Sequence, residues 1–201
     1  AMVHADLDQN VPLLDALRGG YRALLCSPRF LYFHETPGEL DDYAMASRLS
    51  YFLWNTMPDA PLLKQAEAGR IGKPWAIRQE VERMLADPRG RRFIRDFAAE
   101  WLDLSLIDFT EPDPKRFREF DVIVQQSMLN ETHTFLQTMI DENLSVGHLI
   151  VSDFTYLNSR LARFYRVDGV TGDDLQRTPL KPEHHRGGLL TQAAILSLTS
   201  D

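Results

Sequence analysis

Acid–base chemistry needs carboxylates held away from bulk water, and the first candidate in this 201-residue chain is Glu131. At about 100° per residue, Phe117, Phe120, Val124, Met128, Phe135 and Met139 share one narrow helical stripe. Glu131 falls in its middle, while His133 points to the opposite side and reads as solvated. A carboxyl on a core-facing stripe is either paired or kept neutral by a raised pKa. A partner is offered by Arg48, the one charge between Tyr43 and Trp54, a stretch apolar or small on nearly every face. A helix apolar all round is expected in a core, and a guanidinium cannot neutralise itself there. Glu131 is therefore expected to pair with Arg48, with Glu100 as the second choice. Such a pair is structural before it is chemical, because breaking one costs about 3–5 kcal/mol.

Weaker signals surround this network. Asp96 and Glu100, four apart, repel unless something positive lies between them; a solvated edge or neighbouring Arg92 and Arg95 is the bland account, a cation the sharp one. His184-His185-Arg186 precedes Gly187-Gly188 at a helix start, where amides can receive an anion, although adjacent loop histidines are more often simply exposed. Trp54, Trp75 and Trp101 read as core rather than as a sugar-stacking platform, and Arg89, Arg91, Arg92 and Arg95 as a solvated face.

No dinucleotide or P-loop glycine pattern, H-E-x-x-H, E-x-x-H or G-x-S-x-G occurs. The lone Cys26 allows no internal disulfide, and C-x-x-C-H is absent. No cofactor and no metal site is expected within the chain.

The elements that must position these residues are helices. Apolar residues at spacings of three and four predict helices over 13–25, 39–54, 60–69, 74–86, 89–104, 115–142, 158–165 and 189–198. Only Gly169–Pro182 has strand or loop character, room for at most a short β-hairpin. The expected fold is all-α, one multi-helix domain over 1–201 with a long central helix; Glu111–Pro114 is the one candidate boundary, and each side looks too small for its own core. Ala1-Met2 reads as a cloning remnant and the chain as a fragment of a longer protein.

Composition narrows the partners. The formal net charge is -7, from 22 basic and 29 acidic side chains, which disfavours non-specific nucleic-acid binding. No apolar run reaches the ~20 residues of a membrane span, so direct insertion is not expected.

Several segments taken together carry a resemblance. They are Ser27-Pro28-Arg29-Phe30-Leu31-Tyr32, Arg48-Leu49-Ser50-Tyr51-Phe52-Leu53-Trp54 with Met57-Pro58-Asp59, Met84-Leu85-Ala86-Asp87-Pro88-Arg89, and Glu100-Trp101-Leu102. The last third adds Asp153-Phe154-Thr155-Tyr156-Leu157-Asn158, Arg160-Leu161-Ala162, Tyr165 and Arg186-Gly187-Gly188-Leu189-Leu190. Together they resemble domain-of-unknown-function family 1592, found in large exported planctomycete-type proteins. The resemblance implies neighbouring domains of one parent chain as partners, often a c-type cytochrome domain and sometimes a carbohydrate-binding one. It implies a periplasmic or cell-surface setting, with haem c only elsewhere in the parent, and it transfers no catalytic residue.

Two functions follow as expectations. One is a non-catalytic helical scaffold or interaction module; the other is a hydrolase-type domain acting on polysaccharide, with Glu131, Glu100 or Asp96 as acid and base. A glycosidase pair must face across a cleft at about 5–9.5 Å, so burial of Glu131 separates the two.

Overall fold

Short polar side chains begin four of the α-helices. Asp41 accepts the Ala44 amide, Asp59 that of Leu62, Asp121 those of Ile123 and Val124, and Asn158 that of Leu161. The computed structural model describes residues 2–32, 35, 37–110, 112–113 and 115–199, with only the backbone of Arg29. Among these, ten α-helices run in order: α1 (Met2–Asp8), α2 (Leu13–Leu25), α3 (Pro28–Leu31), α4 (Asp42–Trp54), α5 (Ala60–Glu67), α6 (Pro74–Ala86), α7 (Arg91–Trp101), α8 (Val122–Asp141), α9 (Ser159–Tyr165) and α10 (Ala193–Thr199). The chain is mainly α-helical.

The sheet is two-stranded, β1 (Phe154–Leu157) antiparallel to β2 (Gln176–Pro179), with Phe154 opposite Pro179 and Leu157 opposite Gln176. The second strand lies where strand character was expected. The first lies outside that stretch, just before the helix predicted over 158–165. This is therefore no local hairpin: α9 intervenes between the strands, and β1 fills its place because Phe154 and Leu157 are buried.

The long helix is shorter than its periodicity suggested. Asp113 accepts the Lys115 amide and Asp121 restarts the chain, so Phe117 and Phe120 precede α8, flanking Phe164 with ring centroids 6.4 Å away. Met2–Asp8, not expected from the sequence, forms α1.

Two clusters of buried side chains organise the packing. One gathers Ala46, Leu53, Trp54, Leu62, Ala66, Ile71 and Met84 from α4 to α6 and the turn before α6. The larger is built on Val124, Met128, Phe135 and Met139 of α8, with α7, β1, α9 and α10 around it. Phe93 packs against both. The change of core therefore falls at α7, not at the loop 111–114, of which Glu111 and Pro114 lie outside the described residues. Of the three tryptophans only Trp54 is core; Trp75 and Trp101 are 58% and 48% exposed.

Candidate functional site

The α8 face turned toward the last third of the chain carries polar groups as well as apolar ones. Asn158 Nδ2 donates to Ser127 Oγ at 2.9 Å, Thr132 Oγ1 to Gln192 Oε1 at 2.7 Å, and Thr138 shares a 2.8 Å hydrogen bond with Tyr156. Glu131, 1% exposed, sits in this seam. Thr155 Oγ1 of β1 donates to its Oε1 at 2.5 Å, and the Tyr165 hydroxyl at the end of α9 donates to its Oε2. That hydroxyl in turn accepts the Ala193 amide at 2.7 Å.

Burial pushes the Glu131 carboxyl up to about 7, against the hydrogen bonds of Thr155 and Tyr165 and the charge of Arg186, which favour the anion. Burial also raises the Tyr165 hydroxyl well above its usual range, helped by the neighbouring Glu131. Tyr165 therefore stays a donor to the carboxyl.

Arg186 reaches this group through aromatic contact. Its guanidinium lies 3.6 Å from the centre of the Tyr165 ring and donates to the Thr191 carbonyl at 2.5 Å. The glycines after it make the approach. A Cβ at Gly187 would meet Ser152 O at 2.9 Å, and one at Gly188 would meet Ile150 O at 2.6 Å. Gly188 also adopts φ 80° and ψ 175°, a region that side-chain-bearing residues avoid.

The expected pair between Arg48 and Glu131 does not form. Inward positions of α4 are Ala46, Ser50, Leu53 and Trp54, whereas Arg48 lies on the outer face with Tyr51 and Phe52. Arg48 binds Glu35 through two hydrogen bonds instead, one of them at 2.8 Å from Nε. The apolar composition of this helix does not amount to burial: Tyr43 and Phe52 are 52% and 63% exposed. Glu100 is exposed as well, so it is no member of the buried network. Asp96 accepts from Asn55 Nδ2 at 3.2 Å and lies 3.6 Å from Arg95.

His184 accepts the Lys181 amide at 3.1 Å and closes its own turn, while His185 is exposed with φ 50°. His133 is not a solvated histidine. It is half-buried, and its Nε2 is enclosed without a hydrogen-bond partner among the described residues. Burial, and then the charge of Arg95, lowers its pKa.

A second polar network surrounds Trp54. Its Nε1 donates to the Met84 carbonyl at 2.8 Å, and the Arg89 guanidinium lies 3.5 Å from the ring centre. Arg83 grips Asp59 through two hydrogen bonds of 2.9 and 3.1 Å and binds buried Glu80 at 2.8 Å. Arg89 grips Asp87, holding that carboxyl down to about 2. Asp59, Glu80 and Arg83 were not singled out in the sequence. Asp59 and Asp87-Pro88-Arg89 do belong to the segments that carry the family resemblance, which is the signal the sequence offers for them.

The family model described as PSD4, protein of unknown function (DUF1592), matches residues 40–167. The chain belongs to this family. No curated protein and no solved structure matches it. The matched span holds the whole Trp54 network and, of the Glu131 site, Glu131, Thr155 and Tyr165. Arg186, Gly187 and Gly188, which complete the Glu131 site, lie beyond it.

Proposed function

We propose that this chain is a non-catalytic helical docking module whose helix α2 receives another module of the same polypeptide. The observation that carries the reading is the way α2 divides its two faces. Its small-residue face is occupied by α1: Ala16 is fully buried, and a Cβ on Gly20 would come within 2.5 Å of the Val3 side chain. Its other face presents Leu13, Leu14, Leu17, Tyr21, Leu24 and Leu25, exposed by between 39% and 65%. A contiguous stripe of this kind marks an interaction surface. It precedes the family-matched span, which begins at residue 40.

Nothing comparable favours the polysaccharide hydrolase. Its proposed acid, Glu131, has both oxygens hydrogen-bonded within a buried seam, and its partners Glu100 and Asp96 lie nearer the surface on α7. The periplasmic or cell-surface setting, with haem c in another domain of the parent protein, is part of the proposal and is supported by the family resemblance alone. Among the described residues no helix is long and apolar enough to cross a membrane.

Amide hydrogen exchange tests the docking. The amides of α2 are expected to exchange slowly in the full-length protein and quickly in this chain alone. Equal exchange in both overturns the proposal. So does protection in the isolated chain that rises with its concentration, since the stripe would then meet a second copy.

A further inference from the structure

A cleft of about 590 Å³ separates the start of α7 from the last turns of α8. Its walls include Arg91, Arg92 and Arg95 from α7, and His133, Gln137 and Asp141 from α8. Three arginines and one aspartate line it, a local excess of two positive charges in a chain whose net charge is -7. These cations are poorly neutralised by the protein. Among the described residues Arg91 has no ion-pair partner, and Arg95 meets only Asp96, at 3.6 Å. Arg92 is braced by a 3.1 Å hydrogen bond to the Trp54 carbonyl, which fixes one wall. Asp141 is engaged by Gln137 at 2.8 Å. On the opposite wall stands the half-buried His133, whose Nε2 is enclosed without a partner among the described residues.

We propose that this cleft binds the phosphate group of a larger ligand. One guanidinium fork satisfies a carboxylate, whereas several converging forks suit the three or more oxygens of a phosphate. The volume lies within the range of small-molecule sites and exceeds what a lone ion fills. With the anion in place, His133 gains a nearby counter-charge that favours its protonated form. The charged groups around it are Arg91, Arg92, Arg95 and Asp141; burial first, and then the charge of Arg95, disfavours the protonated imidazole when no anion is bound.

The test follows the His133 ring resonances by NMR while inorganic phosphate, and separately acetate, is added at constant ionic strength. Phosphate is expected to move the His133 midpoint upward and to bind more tightly than acetate. Arg91→Ala combined with Arg95→Ala is expected to weaken phosphate binding about tenfold or more, with the thermal midpoint kept. Both arginines are exposed, so the variant folds. An unmoved His133 midpoint overturns the proposal, as does undiminished binding in the variant. Equal response to acetate replaces the phosphate site by a general anion patch.

Discussion

The Tyr165 hydroxyl is shared between two groups, donating to Glu131 Oε2 and accepting the amide of Ala193. That single oxygen ties α8, α9 and α10 together at the least exposed carboxyl of the larger core. Thr155 adds β1 to the same group.

Glu131 makes stability depend on pH. Its folded pKa of about 7 lies above the ordinary 4.5, so the folded chain holds the extra proton between those values. This contribution is complete below about pH 4.5, declines as pH rises toward 7, and is flat beyond. Its size is on the order of 3 kcal/mol. Denaturant unfolding at several pH values, with Glu131→Gln subtracted, should recover that decline; a difference independent of pH would refute the buried proton.

Arg48 and Glu131 act separately. Arg48→Ala breaks an exposed pair with Glu35 and should leave the thermal midpoint close to that of a surface control. Glu131→Ala strands two buried hydroxyl donors at about 1–3 kcal/mol each and opens a cavity besides. The double variant should equal the sum of the single changes to within about 0.5 kcal/mol. A larger coupling would mean that the two residues meet in solution.

Gly188 tests the approach of Arg186 to Tyr165. Gly188→Ala places a Cβ against the Ile150 and Leu149 carbonyls at 2.6 and 2.8 Å and strains the backbone. A loss on the order of 3 kcal/mol is expected. Gly169→Ala shares a positive φ, 87°, but meets nothing within 4 Å, and should lose less. Equal losses would show that backbone conformation alone, and not the close contact, is responsible.

Helix positions were legible in the sequence because they rest on local chemistry. The 74–86 and 13–25 spans agree with α6 and α2 to the residue, since a proline or a break in apolar spacing marks each end. The burial of Glu131 was legible too, because its neighbours at three and four residues away fix its face. Its partners were not. Thr155 is 24 residues from Glu131 and Tyr165 is 34, and no periodic pattern within one helix points across such a distance. Arg48 fails for the complementary reason. Periodicity ranks the faces of α4 but cannot say which face meets another element, and an apolar helix at the edge of the smaller core leaves tyrosine and phenylalanine exposed. The basic cleft exists only because α7 packs across α8, which sets three arginines of one helix against a histidine of the other. Residue spacing decided which side chains share a helix face; only tertiary packing decided which faces would lose their water.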